Sequence, residues 1–504
     1  MTSVSPRDTG IADGPSSTVE AYQSAILSEI RPLAPVSRDF ADAEGCVLAE
    51  DVTAAVSLPS FDNSSMDGYA VTAEDVAGAA NSSPVRLRVT GEIAAGDIGA
   101  YRLVPGTAIK IMTGAQLPAG ADAVVPVEWT DDGIATVEIY RAAEVGNAVR
   151  YAGGDAVAGE TLLTAGVRMR PMQIAVAASA GRKTVSVRPR PRVVVLSTGD
   201  ELTEPGTPLV PGRIWDSNSY MIAACAREAG AVATRRAAVP DDPAGVLPAL
   251  QEQLSHADIL ITTGGVSMGG EHDVVKAALR ELGTVTFRKV AMQPGMPQGF
   301  GVIGKDRVPI FTLPGNPVSA YVSFQLFVRP AIAALQGTSD LSLPTVQASL
   351  TAPVHSPPSR RSYLRGVLDG SKVTPLSGQG SHQIAALGRA NALIIVPEWE
   401  TQLPEGDTVD VLILPLPFTL LPLITFGGSA VPLATARRQT GTTRRSFPVS
   451  GCRGSEFTAA TRTSGAASPA LLSAADKLSR RLARSVSCSS STSAATPRGV
   501  CVTR

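Results

Sequence analysis

The stretch ADILITTGGVSMGGEHD, Ala257 to Asp273, runs from an apolar strand into a glycine-rich loop that ends on a carboxylate. Backbone amides in such a loop suit phosphate oxygens. The loop has no Lys-Ser/Thr pair of the nucleotide-binding kind. Acids beside phosphate suit Mg²⁺, which binds through one or two carboxylates plus substrate phosphates. Two further segments have the same texture. VVVLSTGDEL carries Thr198, Gly199, Asp200 and Glu201, and IFTLPGNPVSA delivers Gly315 and Asn316 immediately ahead of a helix. There Asn316 suits the N-cap and Pro317 the first helical position, so the free amides of that helix form an anion site. A Gly-Gly turn or an Asn-Pro start is by itself an ordinary connection. Three of them at one edge of one sheet point to a phosphate-bearing ligand. Glu201, Asp241, Asp242 and Asp273 are the candidate metal-holding acids, with helix capping as the competing reading for Asp242 and Asp273. The four histidines are scattered and show no metal-ligand spacing.

The elements that must position these residues follow from periodicity. Residues 192 to 336 alternate apolar strands with helical patterns, which predicts a mostly parallel, doubly wound sheet. In such sheets ligands sit beyond the carboxyl ends of the strands. The final helix runs through NPVSAYVSFQLFVRPAIAAL. Upstream, SSTVEAYQSAILSEI begins with Ser17 three residues before Glu20, a capping-box pattern. Residues 53 to 164 turn to short β-rich runs broken by Gly, Pro and Asp, and PMQIAVAASAG returns to helix with Gly181 as its stop. Residues 339 to 414 revert to short strands and turns.

Composition narrows the class. The chain has 504 residues and 44% apolar content, which calls for several cores. From Pro415 onward twelve basic residues face two acidic ones, while the preceding 414 residues carry 32 basic and 43 acidic. The acidic body gives no reason to expect a nucleic-acid face, and no long uninterrupted apolar run suggests a membrane span. Three of the five cysteines fall in the basic tail, so Cys46 and Cys225 form no disulfide framework, which fits a cytoplasmic setting. Residues 1–15 read as a disordered leader. Residues 415–504 read as a disordered tail or a shifted reading frame, with a basic interaction tail as the competing reading.

Taken in order, FDNSSMDGYAV, IKIMTGAQLPAGADAVVPVE, STGDEL, VPDDP, TTGGVSMG, KVAMQPGMPQGFG, LPGNPVSA and GSHQIAALGRANALIIVP resemble the molybdopterin molybdenumtransferases, the MoeA family, related to the carboxy-terminal domain of gephyrin. The resemblance implies an elongated linking domain (16–52 with 165–190) and an inserted β domain (53–164). It implies a molybdopterin-binding α/β domain (191–338) and a C-terminal β-barrel (339–414) as well. It also implies a homodimer whose cleft joins the β domain of one subunit to the α/β domain of the other. The implied reaction takes adenylylated molybdopterin and molybdate, hydrolyses the adenylate with Mg²⁺ assisting, and releases AMP.

By the same resemblance Asp67, Thr113, Glu201, Asp242 (or Asp241) and Asp273 do the chemistry. Gly264, Gly265, Ser267, Gly315 and Asn316 hold the phosphates, and Arg365 adds positive charge. This chain departs from the pattern at Met296, where a lysine is common, with Lys289 and Arg288 nearby. It departs also at Gly154 and by one extra residue before Asp273. A molybdopterin adenylyltransferase and a non-catalytic, gephyrin-like scaffold are the alternatives. The adenylyltransferase is also a candidate partner.

Overall fold

The structure, a computed structural model, describes residues 16–238, 243–264, 279 and 285–415. The leader, the tail, and the residues Asp241, Asp242, Gly265, Ser267 and Asp273 lie outside the described residues.

The α/β sheet follows the alternation expected. Val232–Arg235, Arg192–Ser197, Ile259–Thr263 and Val308–Leu313 lie side by side in that order, all parallel. Their side chains divide by the two-residue period of a strand. Val193, Val195, Ile259, Ile261 and Phe311 enter one core, and Val194, Leu196, Leu260 and Ile310 the other. Burial on both faces explains the unbroken apolar runs. Two antiparallel strands, Pro297–Ile303 and Thr286–Lys289, extend the sheet beyond Val308–Leu313. The sequence reading left them unassigned, because QGFG carries two glycines and no alternation.

Pro317–Leu335 forms the core helix. By length and composition it could cross a bilayer, yet most of it is buried within the protein. Its middle, Phe324–Val328, takes π geometry one turn before Pro330. Proline has no N–H to give the carbonyl four residues back. That carbonyl, Leu326 O, accepts instead from Gln23 Nε2 at 2.8 Å.

Gln23 lies on the helix Val19–Glu29, whose Val19, Tyr22 and Ile26 pack into the α/β core. Tyr22 meets Phe327 edge-on at 5.0 Å. The cap differs from the capping-box expectation. Thr18, not Ser17, is the N-cap and accepts from Ala21 N at 3.1 Å. Ser17 is drawn into backbone pairing with Lys289 and Ala291, and Glu20 pairs with Arg361.

Val36–Asp39, Thr184–Arg188 and Val47–Leu48 form one antiparallel sheet, bringing residues on either side of the β-rich segment together. Between them, a five-stranded sheet runs Ala123–Pro126, Gly68–Val71, Thr107–Ile111, Val85–Ile93, Thr136–Ile139. Tyr69 and Val71 face one core, Ala70 and Ile109 the other. Pro171–Ser179 is helical, with Pro171 at its start and Gly181 at φ +83° beyond its end, as read from sequence.

The C-terminal region closes on itself. Arg361–Asp369, Lys372–Pro375, Thr345–Leu350, Thr408–Ile413 and Ala392–Val396 pair in sequence, and Ala392–Val396 returns to Arg361–Asp369, making a five-stranded barrel. The fold is thus multidomain: a mostly parallel α/β domain with β domains, the last a barrel.

Gly68 marks a tight approach within the inserted sheet, since a Cβ there would lie 2.0 Å from the Val125 carbonyl oxygen. Gly68→Ala should destabilise the inserted domain by about 2–4 kcal/mol. Calorimetry should show a lower-melting transition, and an unchanged melting profile would contradict the packing described.

Candidate functional site

The carboxyl ends of three parallel strands converge. Thr198 N donates to Thr263 O at 3.1 Å, and Gly264 N to Leu313 O at 3.1 Å, so the ladder carries on past Ser197, Thr263 and Leu313. Gly264 has φ +99°, and a Cβ there would sit 2.6 Å from the Thr198 carbonyl oxygen. Only glycine tolerates both conditions. Gly315 then comes within contact of Gly264, its Cβ position 3.7 Å from Gly264 Cα. Asn218 Nδ2 holds the Gly315 carbonyl at 2.6 Å.

These ends floor a cleft of about 400 Å³, lined by Glu201, Asp216, Asn218, Gly264, Gly315, Asn316 and His382 among others. Of the sequence candidates, Glu201, Gly264, Gly315 and Asn316 are therefore brought together. Asn316 takes the N-cap conformation, φ −67° and ψ 128°, but its side chain makes no cap bond. Its amide is left to the cleft. Thr198 Oγ1 and Asn218 Oδ1 are buried there without a hydrogen-bond partner among the described residues. Buried polar atoms are normally paired, so both point to a polar ligand.

Asp216, just ahead of the helix Asn218–Glu228, is a further acid of the cleft. It is buried and accepts from Ser197 Oγ at 3.0 Å, Ser219 N at 3.1 Å and Ser219 Oγ at 2.5 Å. Those bonds occupy it. Glu201 is exposed and has no side-chain hydrogen bond among the described residues, which leaves it available. It fits a divalent cation held by one carboxylate and substrate phosphates. Among the described residues, no group of three or more His, Cys, Asp or Glu could hold a metal by itself.

The loop bearing Glu201 is braced. Leu202–Thr203 pairs with Ile214–Trp215, and Trp215 Nε1 donates to Thr207 O at 2.9 Å. Glu204 accepts from Arg235 at 2.6 Å, and Arg235 stacks over Tyr220 at 4.1 Å.

The remaining candidates lie elsewhere. Lys289 ends the edge strand Thr286–Lys289 and does not line the cleft. Arg365 is fully buried in the barrel, where its guanidinium donates to the carbonyls of Gly378 and Gly380. Burial pushes its pKa below the ordinary arginine value. The turn it holds is the one that brings His382 to the cleft, and Ser381 O accepts from Val318 N at 3.0 Å. Sequence reasoning passed over His382 because it lies about 65 residues beyond Asn316 and has no local signature. Asp67 and Thr113 meet in the inserted domain: Asp67 Oδ1 accepts from the Thr113 hydroxyl and from its N–H, both at 2.7 Å. Neither lines the cleft of its own chain.

The Thr113 hydroxyl, then its N–H, hold the Asp67 carboxyl below the usual carboxylate range. Thr113→Val removes the stronger donor and should raise that pKa toward the ordinary aspartate value. An NMR titration of the Asp67 carboxyl carbon checks this, and an unmoved midpoint would contradict it.

Similarity to known proteins covers the same span. Residues 17–181 match the MoeA N-terminal region (domain I and II), 194–334 a probable molybdopterin binding domain, and 347–414 the MoeA C-terminal region (domain IV). Molybdopterin molybdenumtransferase 2 of Mycobacterium tuberculosis is 44% identical over 402 residues, covering 78% of this chain and 98% of that protein. The Bacillus subtilis molybdopterin molybdenumtransferase is 37% identical over 376 residues, covering 73% and 87%. A crystal structure of a molybdopterin biosynthesis moeA protein from Pyrococcus horikosii superposes with TM-score 0.68 at 32% identity, covering 79% of this chain and 99% of that one. The chain belongs to the molybdopterin molybdenumtransferase (MoeA) family.

Proposed function

We propose that this protein completes the molybdenum cofactor: it takes adenylylated molybdopterin and molybdate, hydrolyses the adenylate, and releases AMP as molybdenum joins the pterin dithiolene. The observation that carries this reading is the convergence of Glu201, Gly264, Gly315 and Asn316 on one cleft with unpartnered polar atoms. Gly264, whose own N–H is committed to Leu313 O, shapes the floor on which the Gly315 backbone amide and the Asn316 amide receive phosphate oxygens. The half-exposed Trp215 and Ile214 give a pterin ring an apolar wall. Glu201 is the carboxylate that holds Mg²⁺, with Asp241, Asp242 and Asp273 as the further acids of the same role. A bound divalent ion supplies neutralisation of the pyrophosphate charge. Gly265, Ser267 and Lys289 serve the phosphates, and Arg365 serves through the turn it anchors.

Asp67 and Thr113 belong to the same reaction through a second copy of the chain, in a homodimer whose cleft takes the inserted domain of the partner. The low pKa of Asp67 keeps it ionised across the working pH range, which suits it to orient water. The protein acts in the cytoplasm and receives its substrate from the adenylyltransferase.

The adenylyltransferase reading requires only an α/β domain, whereas this chain is similar to the molybdenumtransferases across the inserted and barrel regions too. Incubating the purified chain with adenylylated molybdopterin, molybdate and Mg²⁺ should release AMP. Ligand that stays bound without AMP release would favour a scaffold, and adenylylation from ATP would favour the adenylyltransferase. Glu201→Gln and Asp67→Asn should each slow AMP release by about 100-fold or more, with melting temperature unchanged, because both side chains are exposed. Parallel losses of activity and melting temperature would assign them structural roles.

A further inference from the structure

A second cavity, of about 410 Å³, lies where the 168–190 region, the α/β domain and the 340–344 segment meet. It shares no lining residue with the cleft. The helix Asn218–Glu228 places Asn218 in the cleft and Glu228 in this second cavity. An eleven-residue helix separates them by about 15 Å.

Arg168, Arg170, Arg190 and Arg329 line the cavity, with Glu228 and Asp340 as its acids. Arg329 is paired with Glu228. The other three guanidinium groups have no ion pair among the described residues, and Asp340 alone faces them. Two of them are fixed by neutral acceptors. Arg168 donates to Gly45 O at 2.8 Å and Gln336 Oε1 at 2.6 Å, and Arg190 to Gly230 O at 3.0 Å and Ala231 O at 2.8 Å.

Those bonds account for the direction of the two side chains and leave their charge uncompensated. Burial, then the nearby Arg170 and Arg190, push the Arg168 pKa down. Like charges held together at a partly buried wall favour an anion between them.

We propose that this cavity is a binding site for a compact, phosphate-type polyanion carrying at least two negative charges, held by Arg168, Arg170 and Arg190. Arg168 and Arg190 are preorganised by their carbonyl bonds, and the exposed Arg170 closes on the ligand from the rim. Occupancy ties the three regions together and so raises stability.

Inorganic pyrophosphate is the probe, titrated calorimetrically into the full chain at low salt. The wild type should bind it and melt higher with it. Arg170→Ala should weaken binding at this cavity by about tenfold and Arg170→Glu should remove it together with its share of the thermal shift, leaving only what the cleft binds, while AMP release and the melting temperature without ligand stay unchanged. Arg170→Lys should retain most of the binding. Asn218→Ala, at the cleft, should leave this cavity's share of the thermal shift intact. Pyrophosphate affinity that survives Arg170→Glu undiminished but is lost in Asn218→Ala would put the anion in the cleft and overturn the proposal. So would a change of oligomeric state in Arg170→Glu, because the cavity would then be a subunit contact.

Discussion

A side chain at Gly264 would place its first carbon 2.6 Å from the Thr198 carbonyl oxygen. The rest of the cleft depends on that missing carbon. Because it is absent, Gly264 lies against Thr198 at the end of the neighbouring strand, and Gly315 can close on Gly264 from the third strand end. Gly315, Asn316 and Glu201 then line one volume at the N-terminus of the core helix. A parallel sheet makes this possible by pointing all its strand ends the same way. The fixed length of its helices carries the same elements to the arginine-lined cavity on the far side.

Much of this is legible in the sequence. Strands such as ILITT and VPIFTL are continuous apolar runs because both sheet faces are covered, and turn residues mark where each one stops. Glu201, Gly264, Gly315 and Asn316 fall together because position at a strand end is a local property. What escaped depends on contacts remote in sequence. The barrel closes through pairing of Ser362 with Val396, which no local pattern announces. Arg365 is expected to add positive charge beside the phosphates, yet the barrel buries it against the carbonyls of Gly378 and Gly380. Asp216 precedes the N-cap Ser217 and accepts from Ser219 N at 3.1 Å. Its place in the cleft follows only from Ser197 and Thr263 arriving from two strands.

The core helix shows a local rule being overridden in the same manner. RPAIAAL puts a proline in the body of an apolar helix, where a break would be expected. The helix continues through a π turn, and Gln23, some three hundred residues earlier in the chain, satisfies the freed Leu326 carbonyl. The N-terminal helix is therefore a structural part of the α/β core. Its Glu20 also reaches Arg361 of the barrel, which pairs with Glu398 at 3.0 Å as well. One short helix thus links the first and last regions of the family fold through the domain that holds the cleft.

Asp67 and Thr113 stand apart from Glu201 within a chain, so the central claim is that two copies assemble one site. The direct measurement mixes Asp67→Asn chains with Glu201→Gln chains, exchanges subunits, and follows AMP release from adenylylated molybdopterin. A shared site predicts recovery to about a quarter of wild-type activity, since half of the dimers are mixed and each restores one intact cleft. A mixture as inactive as either parent, with subunit exchange demonstrated, would contradict the account.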